Sequence, residues 1–467
     1  MSLYTIDEIA RATDAQIVNV SAKTISSISI DSREIEVGAL YVAIKGDKFD
    51  GHDFVKSAIE NGAVAALVSS DKAQKFAGLP LIIVPDALKG LENIARFARS
   101  RTKAKIIAIT GSAGKTSTKE AIREVLQNFG KTHASIKSFN NHWGVPLMLA
   151  RMAKDTEYGV FELGMNHANE ITSLSRLVRP DIAIITNVAP AHLEQLGSLE
   201  NIAKAKSEIF DGLEKSGVAI INIDHEQANI LLESAKNANV KKIISYGFSD
   251  NADVQISDAV ATDVGMKALV NLPNEQVSLE TASFGRHRIA NGVAALIVAD
   301  VLRLDIKTAL RAIFYHELSD GRGAIYSFGQ KDNPLILIDE SYNANPLSMR
   351  LALEVFADYP TPNGSRVLIL GDMLELGERS GELHAALKED ILKANPDEIY
   401  LVGKSMHSLA LIMGSKLENY ANKINDIEKD ILKGLDFGDL VMVKGSNGIK
   451  LSGLVELIKK EFASNGK

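Results

Sequence analysis

Cysteine is absent from the 467-residue chain, which excludes disulfides, thiolate metal sites and a cysteine nucleophile. No apolar run reaches the ~18 residues of a membrane span. The opening MSLYTIDEIARATDAQ carries acidic residues where a secretory signal has a basic and then an apolar run. A cytoplasmic protein without membrane insertion is the expectation. An excess of positive charge is also lacking: the formal net charge of -7 disfavours general nucleic-acid binding, so no nucleic-acid partner is expected. Internal repeats, low-complexity tracts and long linkers are missing as well. What remains is 46% hydrophobic and 24% charged, an ordinary globular composition. The length is too great for one core and points to about two to four domains.

Three α/β blocks follow from the pattern, at 1–86, 87–314 and 315–467. In the first, LYVAI (40–44), a helix-like HDFVKSAIENG and then AVAALV give strand, helix and strand. A helical LKGLENIARFARSR leads into the second. There KIIAIT (105–110), YGVFELG, DIAIITNV and VAIINID read as buried strands alternating with helices, the signature of a parallel sheet. The third alternates PLILID, RVLIL, EIYLVG and DLVMVK with helical segments, a doubly wound, Rossmann-like layout without a GxGxxG turn.

TGSAGKTS (110–117) falls between a predicted strand and a predicted helix. Gly111 and Gly114 permit a tight turn, and the N–H groups of Gly111, Ser112, Ala113 and Gly114 can converge on phosphate oxygens. The helix N-terminus adds partial positive charge. Lys115 can reach the β- and γ-phosphates, and Thr116, followed by Ser117, can offer a hydroxyl to Mg²⁺. The motif is short of the full GxxxxGK[ST], because Ile109 stands where its first glycine would be. A nucleoside triphosphate is the expected ligand, and it requires a hard cation bound by carboxylate and hydroxyl. FELGMNH puts Glu162 at the end of a strand, where open α/β sheets bind ligands. His192 lies just past another strand, and Lys206 lies on the helix that follows. Read alone, Glu162 is a solvated strand-end carboxylate, His192 a structural histidine and Lys206 one more surface lysine.

Together these strings resemble the Mur ligases, the amino-acid and dipeptide ligases of peptidoglycan precursor synthesis. The short phosphate loop, ELGMNH and NVAPAHL…AKSEIF are similar to the family's central ATPase domain. DESYNANPLSM (339–349), LGDMLELGE (370–378) and VKGSNG (443–448) look like the C-terminal motifs of the member that adds D-Ala-D-Ala. DSR (31–33) and DGHDFV (50–55) resemble its UDP-sugar-binding domain.

The resemblance implies three domains: an N-terminal UDP-substrate domain, a central phosphate-loop ATPase and a Rossmann-like C-terminal domain. It implies ATP and Mg²⁺ as cofactors, with UDP-MurNAc-tripeptide and D-Ala-D-Ala as substrates of a monomer. Lys115 and Thr116 would then hold the ATP phosphates and one ion, with Glu162 a further ligand. His192 and Lys206 would serve a second ion, the lysine N-carbamylated and acting as a carboxylate. Asn141 matches an asparagine near the γ-phosphate, Arg322 an arginine brought to the nucleotide by the C-terminal domain, and Asn291 an adenine contact. Ser32 and Arg33 match the uridine diphosphate site, and Asn343 and Asn345 fall to the substrate. This chain departs from the family at Arg288, where an Asn is usual after His287, and at Glu340, where a ribose-binding Asp is usual.

The implied reaction phosphorylates the tripeptide carboxylate, and the dipeptide amine then displaces phosphate. Folylpolyglutamate synthase shares the ATPase core, but DSR and SYNANP argue against it. A single-amino-acid-adding Mur enzyme would carry a DNPR string, and a GTPase switch an NKxD-type motif; neither occurs.

Overall fold

The computed structural model describes residues 2–465 apart from 47, 48, 137, 317, 361 and 362. The described residues form three main sheets, arranged along the chain. The first has five strands, ordered Gln16–Val18, Leu81–Val84, Ala65–Ser69, Leu40–Val42 and Ile28–Ser29. Only the pair between Gln16–Val18 and Leu81–Val84 is antiparallel. The helix Ala87–Arg101 follows, its first turn capped by the Asp86 carboxylate, which accepts from the Lys89 N–H at 2.8 Å. Its Leu91, Ile94, Ala95 and Ala98 join the apolar core that runs from the first sheet into the second.

The central sheet has nine strands, with Lys105–Thr110 between Ile182–Ile185 and Tyr158–Glu162, all parallel. Side chains alternate along a strand, so Ile106 and Ala108 enter one core while Ile107 and Ile109 enter the other. That double burial is why KIIAIT reads as a continuous apolar run. The far edge departs from the expected parallel pattern. Val254–Ala261, Met266–Asn271 and Gln276–Thr281 form an antiparallel meander with a register shift between Ser257 and Val260.

The third sheet is ordered Ala324–Phe328, Leu335–Glu340, Leu440–Lys444, Arg366–Gly371, Glu398–Val402 and Leu417–Ala421. All neighbours are parallel except the first pair. Its two edge strands, Ala324–Phe328 and Leu417–Ala421, lie outside the strands read from the sequence. Among the described residues no helix is long and apolar enough to cross a membrane.

The first two units are pinned directly to one another. The Tyr4 hydroxyl donates to Ala150 O at 2.6 Å, Arg151 Nε donates to Ile28 O at 2.7 Å, and the Arg101 guanidinium lies 3.8 Å over the Tyr4 ring.

Candidate functional site

Where the strand Lys105–Thr110 ends, the chain turns through Gly111 and Gly114 into the helix Lys115–Leu126. Gly111 sits at φ +155, and a Cβ there would fall 1.9 Å from Thr186 Oγ1; Gly114 sits at φ +79. Neither position admits a side chain without displacement. The segment after the neighbouring strand Ile182–Ile185 fixes the loop. Ser112 N–H donates to Asn187 O at 3.1 Å, and Ala113 N–H to Asn187 Oδ1 at 2.8 Å. Thr186 Oγ1 donates to Ala113 O at 2.6 Å, and Ser112 Oγ to Ala189 O at 2.9 Å. The helix therefore begins at a rigid turn whose residues 111–117 line a cavity, and a helix N-terminus so placed can bind phosphate.

The cavity measures about 410 Å³ and lies between the central and C-terminal sheets. It gathers the residues 111–117 with Asn141, Glu162, His192, Lys206, Asn291, Arg322, Glu340, Asn343 and Asn345. Ser32 and Arg33 are not part of it. They follow the strand Ile28–Ser29 in the first sheet, where Arg33 is 86% exposed and paired with Asp31 at 2.6 Å.

Glu162 is not solvated: it is 2% exposed at the end of its strand. Its Oε2 accepts from Thr116 Oγ1 at 2.7 Å and its Oε1 from Asn140 Nδ2 at 2.8 Å. A hydroxyl and a carboxylate held this close beside a phosphate loop fit one Mg²⁺ ion. Lys115 donates to Gly111 O at 2.8 Å, and burial lowers its pKa while Glu162 partly opposes the shift. Lys206 is no surface lysine but 2% exposed, and burial, then the charge of Lys115, pushes its pKa well below the ordinary lysine value. His192, at φ +58, precedes the short helix Leu193–Leu196, with Nδ1 2.8 Å from Glu375 Oε2 of the third unit.

Asn141 faces the cavity, but its Oδ1 accepts from Gly144 N at 2.9 Å and so shapes the start of the helix Gly144–Ala150. It is Asn140, one residue earlier, that touches Glu162. Asn291 accepts from Thr118 Oγ1 at 3.0 Å and lies against Gly114, beneath the loop.

The C-terminal unit forms the opposite wall. Arg322 donates to Ser138 Oγ at 3.0 Å and stacks 4.0 Å over the Tyr342 ring, whose hydroxyl shares a 2.6 Å hydrogen bond with Ser138. The buried Asp339 holds the Arg322 loop by accepting from Gly321 N at 2.7 Å and from Ser341 Oγ at 2.6 Å. Asn345 caps the helix Pro346–Asp358 and donates from Nδ2 to Ser112 O at 3.3 Å, directly on the phosphate loop. Asn343 offers its carbonyl to Lys444 Nζ at 3.1 Å.

Arg288 and Glu340, the two residues expected to depart from the family pattern, meet each other. Arg288 Nη2 lies 3.1 Å from Glu340 Oε1, and Lys444 Nζ lies 3.2 Å from Glu340 Oε2. Glu340 is thus held between two cations, one from the central unit and one from the C-terminal unit. Sequence reasoning missed Asn140, Tyr342, Glu375 and Lys444 as wall or partner residues. Tyr342, in DESYNANPLSM, Lys444, in VKGSNG, and Glu375, in LGDMLELGE, stood in motifs already singled out, and Asn140 is the immediate neighbour of Asn141.

The comparisons with known proteins run the length of the chain. Residues 24–112 match the model described as Mur ligase family, catalytic domain; 109–299 match Mur ligase middle domain; and 327–447 match Mur ligase, glutamate ligase domain. The UDP-N-acetylmuramoyl-tripeptide--D-alanyl-D-alanine ligase of Rickettsia prowazekii is 36% identical over 439 residues, covering 92% of this chain and 94% of that protein. A crystal structure of MurF from Acinetobacter baumannii superposes with TM-score 0.85 at 29% identity, covering 98% and 99%. The MurF ligase of Thermotoga maritima in complex with ADP does so with TM-score 0.78 at 25% identity, covering 94% and 98%.

Proposed function

The chain belongs to the Mur ligase family, and from that premise we propose that it joins D-alanyl-D-alanine to UDP-N-acetylmuramoyl-tripeptide, converting ATP to ADP and phosphate. One observation carries the reading most directly: a phosphate loop, a buried carboxylate–hydroxyl pair and an arginine from the opposite domain face one cavity. We take the units as 1–86 for the UDP-muramoyl substrate, 87–314 for ATP and 315–467 as the closing domain. The protein is read as a cytoplasmic monomer, acting where ATP and a UDP-linked precursor are available.

The roles follow from placement and charge. The loop from Gly111 to Gly114, its shape fixed by Asn187, and the first turn of the helix that starts at Lys115 cradle the ATP phosphates. Lys115 leaves Gly111 O to reach the γ-phosphoryl group, and Arg322 approaches it from the other side, so negative charge is met from two directions as the group transfers. The tripeptide carboxylate attacks the γ-phosphorus, ADP departs, and an acyl phosphate forms. The dipeptide amine then attacks the acyl carbon and phosphate leaves. Closure of the C-terminal unit over the cavity keeps water from the acyl phosphate.

Mg²⁺, when bound, would neutralise the moving phosphoryl charge. Thr116 and Glu162 would hold one ion, and His192 with Lys206 a second. The depressed basicity of buried Lys206 suits it to a further step. Its neutral amine adds to CO₂ and loses one proton, giving an anionic carbamate that favours a hard cation. Asn291 is read as an adenine contact, Glu340 as lining the ribose side, Asn343 and Asn345 as substrate-facing, and Ser32 with Arg33 as the uridine diphosphate end.

The test is phosphate release from ATP with Mg²⁺ and UDP-MurNAc-tripeptide, comparing D-Ala-D-Ala with D-Glu, D-Ala and L-Lys. Release stimulated by the dipeptide alone supports the reading; stimulation by a single amino acid instead replaces it.

A further inference from the structure

His192 and Glu375 face each other across the boundary between the central and C-terminal units, and neither has an ordinary backbone. His192 lies at φ +58 and Glu375 at φ +63, the left-handed region that non-glycine residues keep only when their surroundings hold them there. Their side chains approach to 2.8 Å between Nδ1 and Oε2. The Nδ1 atom is sealed from solvent and makes no other hydrogen bond, so the carboxylate 2.8 Å away is the acceptor placed for it.

The loop that presents Glu375 is firmly built. His384 donates from Nδ1 to Ser380 O at 2.6 Å, which leaves Nε2 to accept from Met373 N–H at 2.9 Å. Leu374 N–H donates to Ser446 Oγ at 3.0 Å, and Met373 and Leu376 on either side are buried. The loop's Gly377 then rests against Glu194, two residues beyond His192.

We propose that Glu375 is a positioning residue for His192. By accepting from Nδ1–H it selects the tautomer that leaves Nε2 of this cavity-lining histidine free, the form in which an imidazole binds a cation. Because Glu375 arrives on the C-terminal domain, the histidine is set only when that domain is seated. The inference rests on the reading of His192 as a metal ligand.

Full-length protein with a non-hydrolysable ATP analogue, titrated with Mn²⁺ and followed by the electron paramagnetic resonance of the free ion, measures the binding without turnover. His192→Ala defines which Mn²⁺ ion depends on the imidazole. Glu375→Ala should weaken that ion by about tenfold or more, the usual consequence of losing such a partner. Glu375→Gln should show a smaller loss, since its amide oxygen still accepts the ring N–H without the charge. Glu378→Ala, on the same loop, should match the wild type. With ¹⁵N-labelled histidine, the His192 ring signal, assigned by its loss in His192→Ala, should move from a single Nδ1–H tautomer to a mixture in Glu375→Ala. Wild-type Mn²⁺ affinity and an unchanged ring signal in Glu375→Ala would overturn the proposal. Retention of every Mn²⁺ ion by His192→Ala would instead remove the metal-ligand reading on which it stands.

Discussion

Removing the ammonium of Lys115 deprives Gly111 O of its 2.8 Å donor and the cavity of the cation nearest the loop. Lys115→Ala should lower kcat by about 10²–10³-fold, roughly 3–4 kcal/mol of transition-state stabilisation. The side chain is only partly buried and packs no apolar core, so circular dichroism and the thermal midpoint should stay close to wild type. Wild-type turnover in the folded variant would remove the phosphate-loop assignment. Lys206 makes a different prediction, because a charged ammonium would repel a cation while its buried site disfavours that charge. Lys206→Ala should be nearly inactive and partly rescued by formate or acetate, which supply the missing oxygen ligands. A ¹³C carbamate signal from wild-type protein in labelled bicarbonate checks the same point, and its absence from active protein would refute it. The pairing of Arg288 with Glu340 was not legible in sequence, since the two residues are far apart in the chain and belong to different units. Each looked only like a departure until the structure brought them within 3.1 Å.

At the scale of elements, the helix Pro346–Asp358 depends on Asn345 in two ways. Its Oδ1 accepts from Ser348 N at 2.9 Å as a cap, and its Nδ2 reaches Ser112 O. Asn345→Ala should therefore cost about 1 kcal/mol in urea unfolding of the C-terminal unit. It should also lower turnover by loosening the phosphate loop, whereas Asn345→Ser should recover the stability without the loop contact. Equal turnover in both variants and wild type would show that the contact to Ser112 is idle. Strand–turn–helix around the phosphate loop was readable because everything that builds it is local: an apolar run, two glycines and a helix start. The antiparallel meander over 254–281 was not, because its alternating exposed face gives short, weak signals, interrupted by a register shift at Ser257. Asn140 and Asn141 illustrate the same limit inside the site. Adjacent identical residues cannot be told apart until the turn directs one to Glu162 and the other to Gly144.

At the scale of the whole molecule, the central cavity is complete only because the C-terminal unit is seated on it. Tyr342, Arg322 and Asn345 bond to Ser138 and Ser112, and the Arg288–Glu340 pair bridges the same boundary. These links are polar, which suits a boundary that opens and closes with the reaction cycle. Small-angle scattering should show compaction on adding ATP and a further decrease in radius with the muramoyl substrate, reduced in Glu340→Gln. Identical curves for free and fully liganded protein would contradict a closing domain. The central claim is chemical: Lys115, Arg322 and the Thr116–Glu162 pair act on the terminal phosphate, so the tripeptide carboxylate attacks the γ-phosphorus. A UDP-MurNAc-tripeptide with ¹⁸O at both oxygens of its terminal carboxylate tests it directly. The account predicts one ¹⁸O delivered to inorganic phosphate for each pentapeptide formed; label in AMP with release of pyrophosphate, or unlabelled phosphate, would contradict it.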